Sequence, residues 1–355
     1  MTEMCWKRLF AILLILLGPS VTLMAQENPR KLSKLRRIIR EFSAIDTNYI
    51  EPQHYNFTAM VQSTYTYDIY RLSSSNGQTI TLSPDASLKV GPYFGWRWFF
   101  LGYTFQIKNL GFNSGESRKE FDFSIYSSQI GIDLYYRRTG SDYKIRDVNL
   151  GSNVDASRLE GTAYDGISVG ITGINLYYIF NHRRFSYPAA FAQSTCQKIS
   201  CGSWICGVGY LNNSLDFDSD KFKETVSAKT HNDVVEIDSG LMFNSVKYYD
   251  INLSGGYAYN WVFAKRCLFC ASLQLALSYK GARGVAGDRG DRNFNLDHFN
   301  LDGIGRFGLV YNNTKWYVGA SAIVHSYNYR KERFATNNTF GSLNIYAGFN
   351  FGRKR

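Results

Sequence analysis

The chain has 355 residues, with 26 Tyr, 25 Phe and 6 Trp but only 6 Pro, enough for a large core or a wide barrel. Mean hydropathy is -0.26, and no stretch beyond the N-terminus reaches the ~18 apolar residues of a helical membrane span. The net charge of +11 does not make nucleic acid a partner, because the chain opens on an export signal.

That opening is "MTEMCWKRLFAILLILLGPSVTLMA". Lys7 and Arg8 precede an apolar run from Leu9 to Leu17, Gly18 and Pro19 break it, and Ala25 ends it. The pattern predicts a cleaved signal peptide over 1–25 and a mature chain from Gln26. Residues 26–50 form a basic segment: Arg30, Lys31, Lys34, Arg36, Arg37 and Arg40 occur without an acid, and Leu32, Leu35, Ile38, Ile39 and Phe42 are spaced for a short amphipathic helix. Such a helix suits an anionic membrane surface or an acidic partner; the alternative is a solvated tail.

From residue 51 onwards the chain reads as one β domain. "YNFTAMVQSTYTYDIY" sets Phe57, Ala59, Val61, Tyr65, Tyr67 and Ile69 on one face and Asn56, Thr58, Gln62, Thr64, Thr66 and Asp68 on the other. "YYDINLSGGYAYNWVF" groups Ile251, Leu253, Tyr257, Tyr259, Trp261 and Phe263 against Asp250, Asn252, Ser254 and Asn260. Similar alternation recurs in "CLFCASLQLALSY", "FNLDGIGRFGLVY", "KWYVGASAIVHSYNY" and "SLNIYAGFNF". Strands are predicted near 55–71, 79–91, 97–107, 119–137, 163–181, 202–212, 247–263, 267–279, 299–311, 315–329 and 339–351. Bacterial barrels have an even strand number, so about twelve are expected, with the missing one inside Asp233–Phe243. Within "KEFDFSIYSSQIGIDLYYRR" and "YDGISVGITGINLYYIF" the apolar parity changes midway, from a bulge or a wrong boundary.

The strands exceed the ~5–6 residues usual in soluble sheets and match the ~9–11 needed to span a bilayer. Their apolar faces end in aromatic residues, and the opposite faces are small and polar rather than rich in Lys and Glu. "FAKRC" and "YNNTK" are tight turns, whereas the segments near 211–240 and 279–299 are long. The predicted fold is therefore all-β: a transmembrane antiparallel up-and-down β-barrel of the outer membrane, with short turns in the periplasm.

"DTNYIEPQHYNFTAM", "GPYFGWRWFFLGYTF", "NLYYIFNHRRFSYPAAFAQS" and "GYAYNWVFAKRCL" resemble the family known as domain of unknown function 4421, over about residues 45–350. The resemblance implies an outer-membrane β-barrel of Gram-negative bacteria, assigns no activity and supplies no site residues.

Parity turns Asp250, Asn252, Asn260, Asp302, Arg306, His325 and Asn344 towards the lumen, where they either pair and close the interior or line a permeation path. His325 is the one strand-borne His, but Ser321 lies ~13 Å along the strand, too far for a catalytic pair, so no catalytic residue is assigned. "NHRRFSYPAAF" reads as an ordered connection with boundary cations or as a headgroup contact. Asp291, Asn293, Asn295, Asp297 and Asp302 have calcium-loop spacing but lack the required Gly and Glu, so the segment reads as a solvated loop, as does "LDFDSD". Cys267 and Cys270 fall on opposite strand faces and form no metal pair, while one disulfide within Cys196, Cys201 and Cys206 suits an oxidising compartment. No cofactor or metal is expected. The expected partners are outer-membrane lipid and, for a narrow channel, small solutes. A structural or surface-interaction barrel and a membrane-embedded lipid hydrolase are the alternatives.

Overall fold

The computed structural model describes residues 45–354 apart from 97–98, 103–104, 107–118, 140–141, 152–155, 231–235, 243, 284–298 and 332–333. The predicted signal peptide, and the predicted basic segment up to residue 44, lie outside the described residues.

The strands in chain order are β1 (Ile50–Pro52), β2 (Tyr55–Ser74), β3 (Thr79–Pro84), β4 (Ser87–Trp96), β5 (Phe99–Gly102), β6 (Phe105–Gln106), β7 (Lys119–Tyr126), β8 (Ile130–Arg138), β9 (Tyr143–Asn149), β10 (Ile167–Ile179), β11 (Thr195–Gln197), β12 (Cys201–Phe217), β13 (Ser245–Ala264), β14 (Cys267–Arg283), β15 (Phe299–Asn312), β16 (Trp316–Lys331) and β17 (Phe334–Arg353). Two helices accompany them, α1 (Tyr187–Phe191) and α2 (Ser219–Thr230). Twelve of the described strands follow one path, β5-β4-β2-β17-β16-β15-β14-β13-β12-β10-β8-β7. Every pairing along it is antiparallel. Strands from the two ends of the domain are neighbours: β2 pairs with β17 from Tyr55 opposite Arg353 to Ser74 opposite Phe334. The remaining junction, between β5–β6 and β7, flanks residues 107–118 outside the described set.

Burial along β14 inverts the logic of a soluble sheet. Leu273 is 64% exposed, whereas Lys280 on the same strand is 0% exposed. Leu253, Leu275, Leu277, Leu301, Leu309 and Ile345 are also exposed, and so large an apolar surface requires hydrocarbon around it. Aromatic pairs edge the belt where the turns are short: Trp204–Tyr257, Trp261–Phe263 and Trp316–Phe349, with ring centroids 5.2, 5.5 and 5.3 Å apart.

Three segments differ from the sequence expectation. The segment 119–137 is two strands, β7 and β8, turning at residues 127–129 where Ser127 N–H bonds the Ile130 carbonyl. That turn supplies the extra strand. The described part of Asp233–Phe243 holds a 3-10 turn at Ser239–Leu241 instead. The segment 79–91 breaks after Pro84, so that β2 pairs with β4 in its first half and with β3 in its second. Part of 97–107 lies outside the described residues.

Within β10 there is no bulge: its register with β12 is continuous from Ile167 opposite Phe217 to Ile179 opposite Ile205. The apolar parity changes because the interior changes. Ile174 and Leu176 face outwards, whereas Ile167, Val169 and Ile171 face inwards, onto an apolar cap over the long-loop end. That cap gathers Leu72, Ile80, Leu82, Tyr143, Ile145, Leu159, Leu215, Phe217, Phe222 and Val226 from β2, β3, β9, a 3-10 turn, β12 and α2.

Candidate functional site

Beneath the apolar cap, the inward faces of β8, β13, β14 and β15 carry charge. Arg306 on β15 and Asp133 on β8 form an ion pair across the interior, with the Arg306 side chain fully buried. The guanidinium also lies 4.9 Å from the centre of the Tyr177 ring on β10. Lys280 Nζ sits 3.2 Å from Asp250 and 2.9 Å from Asp302, and all three side chains are 0% exposed. It further donates to the Asn328 carbonyl at 2.6 Å, while Asp302 accepts from Ser278 and from the Asn328 N–H. Buried charges of this kind persist only as paired groups, since an isolated ion would lose its hydration uncompensated. Next to them the hydroxyls of Tyr135 and Tyr327 share a hydrogen bond of 2.8 Å, and Tyr327 lies 3.3 Å from His325 Nδ1. The His325 ring is stacked on Phe340, with centroids 5.0 Å apart.

The short-turn end is filled by the chain between β10 and β12. Ser186 caps α1, its hydroxyl accepting from Ala189 N–H, and Pro188 occupies the first turn, where a missing N–H is harmless. Phe185, Tyr187, Ala189 and Ala190 pack against Ile205, Ala258, Leu268 and Cys270 of the wall. Tyr187 bonds Ser272, Gln193 Nε2 donates to Tyr346 at 2.6 Å, and Asn260 Nδ2 donates to the Ser186 carbonyl at 2.9 Å. Strand β11 then pairs with β1 in a separate two-stranded sheet, which ties the segment to the chain just before β2. Between this plug and β2–β4 the space is about 20 Å³, the order of a single water. A groove of about 890 Å³, by contrast, lies on the lipid-facing side along Trp204, Cys206, Gly255, Leu273, Gly303 and Phe307.

Asp250, Asn252, Asn260, Asp302, Arg306 and His325 are all buried on the inward face. Asn344 is half-buried there, accepting from Gln62 and Thr64 at 3.0 and 2.8 Å. They do not form one cluster. Asp250 and Asp302 share Lys280, Arg306 joins Asp133, Asn260 holds the plug, and Asn344 pairs with β2. Sequence reasoning missed Lys280, Asp133 and Tyr177, and read Tyr187 as part of a connection at the membrane boundary rather than of the interior. Lys280 shares the parity of Ser272, Gln274 and Ser278, which is signal enough to find it.

"NHRRFSYPAAF" is not a boundary turn alone: His182, Arg183 and Arg184 stay outside, while Tyr187 to Ala190 enter the interior. "LDFDSD" is not a solvated loop, since Leu215 and Phe217 end β12 inside the cap and Asp218 accepts from Lys221 N–H at 3.0 Å at the start of α2. Asp291, Asn293, Asn295 and Asp297 lie outside the described residues, and Asp302 is held in β15 by Lys280. The described cysteines are free thiols; Cys196 bonds the Asn312 carbonyl and Cys201 the Asn181 amide, not each other. Serine Ser272 is engaged by Tyr187 rather than His325.

Outside the membrane belt, Glu51 joins β1 to the β13–β14 turn through Arg266 and also meets His54 at 3.3 Å. Burial raises the carboxyl's affinity for a proton, but Arg266 and His54 outweigh it and hold Glu51 below its ordinary value. The bond from Lys221 similarly lowers Asp165 on the rim.

The sequence matches the family described as domain of unknown function (DUF4421) over residues 44–351. No match to it is found among curated proteins. Among solved structures, the outer membrane protease OmpT from Escherichia coli is similar at 8% identity and a TM-score of 0.32, covering 86% of this chain and 100% of that one. The translocator domain of the autotransporter NalP from Neisseria meningitidis is similar at 9% identity and a TM-score of 0.32, over 91% and 95% of the two chains. The outer membrane protein OprG from Pseudomonas aeruginosa is similar at 10% identity and a TM-score of 0.24, over 85% and 98%.

Proposed function

The chain belongs to the DUF4421 family of outer-membrane β proteins, and from that premise we propose that it is a closed barrel that conducts no solute and serves a structural or surface-interaction role. The observation that carries this reading is the Arg306–Asp133 pair spanning the interior from β15 to β8. Permeation along the axis would have to separate two buried opposite charges, which costs several kcal/mol. The plug centred on Tyr187 and the apolar cap over Leu72 and Phe217 add a second and a third obstruction. A narrow channel, the other expectation from the sequence, needs a continuous wet path, and the inward charges Asp133, Asp250, Lys280, Asp302 and Arg306 are paired with one another instead.

Planar-bilayer recording on the full mature chain tests this reading. Silence from protein with the heat-dependent gel mobility of a folded barrel is expected; reproducible single-channel steps overturn it. The same reading has no hydrolytic role for His325, so lipid profiles of vesicles holding the His325→Ala protein should match those of the parent.

A further inference from the structure

The outer face carries a second pattern, visible once residues are placed by register. Arg138 on β8 stands opposite Gly170 on β10, Gly170 opposite Ser214 on β12, and Ser214 opposite Lys247 on β13. These four residues form one row across four neighbouring strands, and paired residues share a face. Extending the row by one strand at each end reaches Lys119 on β7 and Arg283 on β14. Arg138 and Lys247 are exposed. Neither makes an ion pair or a side-chain hydrogen bond with a described residue, unlike Lys144, Arg146 and Lys221 near the same end of the sheet, which pair with Asp85 and Asp165. The nearest acid in register is Asp216, one outward position beyond Ser214, and Ser245 donates to it.

The row has a fixed relation to the apolar belt. On β8 the outward residues run Leu134, Tyr136, Arg138; on β13 they run Ile251, Tyr249, Lys247. Each strand thus passes from an aliphatic residue through a tyrosine to a cation within four positions, ~13 Å of strand. Aromatic rings mark the interfacial zone, so the cations lie at the level of lipid headgroups. Between them Gly170 and Ser214 offer little side-chain bulk, leaving a shallow strip of three inter-strand spacings, ~14 Å, flanked by positive charge.

We propose that this strip binds the phosphate-bearing headgroup of an outer-leaflet lipid, with Arg138 and Lys247 as its charge partners and the lipid's acyl chains against Leu134, Ile174, Tyr210 and Ile251 below. Continuity with the apolar belt selects a lipid over a soluble phosphate compound. The proposal rests on the membrane placement of the sheet and not on its being closed to solutes, so a conducting barrel leaves it standing.

The test uses the full mature chain in phosphatidylcholine vesicles with and without lipid A, followed by gentle detergent extraction and quantification of lipid A retained per folded protein. A cation near an anionic membrane surface contributes about 1 kcal/mol, about fivefold in affinity, so R138A/K247A should retain lipid A roughly 30-fold more weakly. Arg138→Lys should hold it nearly as the parent does. Ser214→Glu, which leaves both cations and adds an anion at the centre of the strip, should also lose it, and guards against misfolding of the double variant. Equal retention by all variants overturns the proposal. So does equal loss on K265A/K315A at the opposite rim, or displacement of lipid A by inorganic phosphate at matched phosphate concentration.

Discussion

Arg306 and Asp133 are 173 positions apart in sequence, yet their side chains meet across the interior of the sheet. The contact ties β15 to β8, which are separated by four strands in the ladder. Removing one partner leaves the other as an uncompensated buried charge, a change worth about 3–5 kcal/mol. Arg306→Ala should therefore lower unfolding stability in lipid vesicles by about that amount. A double replacement, Arg306→Met with Asp133→Leu, should cost far less, because no charge is stranded and the volume is retained. Urea titration followed by gel mobility measures both.

The plug, the charged layer and the apolar cap are three seals in series. Tyr187→Ala removes a fully buried ring packed on Phe185 and Phe191, and the loss should reach about 3–5 kcal/mol by analogy with other buried aromatics. It should not open the barrel by itself. Conductance is expected only when Tyr187→Ala and the loss of both Arg306 and Asp133 are combined with truncation of Phe217 in the apolar cap. Planar-bilayer recording of the variants as the seals are removed one after another gives this ordering directly.

How far the sequence reveals this molecule depends on which forces are local. Alternation with period two fixes which face of β13, β14 or β16 looks inwards, and it placed Asp250, Arg306 and His325 on the buried side without any tertiary information. Partner choice is not local. Nothing near Arg306 points to Asp133, and the boundary between β7 and β8 had to be known before Asp133 could be assigned a face. The plug was hidden for another reason. His182, Arg183 and Arg184 make the connection after β10 look like a solvent turn, although Ser186–Tyr187–Pro188 carries a cap and a first-turn proline, the local mark of a helix start. The inward run Ile167, Val169 and Ile171 misled in the opposite direction, because an apolar inner face signals a capped interior rather than a shifted register.

Acid should loosen the anchoring of β1. Glu51 is held below its ordinary value of 4.5 by Arg266 and His54 against the effect of burial. A depressed carboxyl contributes stability that is fully present above its unfolded-state value and is lost as pH falls through the folded one. Arg266 and Glu51 are partly exposed, at 33% and 23%, so the contribution is small, ~0.2–1 kcal/mol. The expected result is that Glu51→Gln lowers stability at neutral pH and that the difference from the parent vanishes at acid pH well below 4.5. Comparing the two proteins by urea titration across that range checks the sign.

The thiols offer a test of which face meets lipid. Cys206 is exposed on the outer face of β12, between Trp204 and Val208, which are themselves 66% and 53% exposed. Cys270 is 0% exposed and faces the plug. Cys196 is 7% exposed in β11, and burial pushes its pKa up to about 11, which leaves little reactive thiolate at neutral pH. In folded protein in vesicles, a hydrophobic, uncharged maleimide should reach and label Cys206, more slowly than a thiol in water because hydrocarbon disfavours the thiolate. A charged, membrane-impermeant maleimide should label it poorly, because its reactive end cannot enter the hydrocarbon belt. Cys196 and Cys270 should resist both reagents until the barrel is unfolded. Tryptic mapping of the labelled sites distinguishes the three positions. Fast labelling of Cys206 by the charged reagent would mean that this face meets water, and the placement of the apolar belt in lipid would then be wrong.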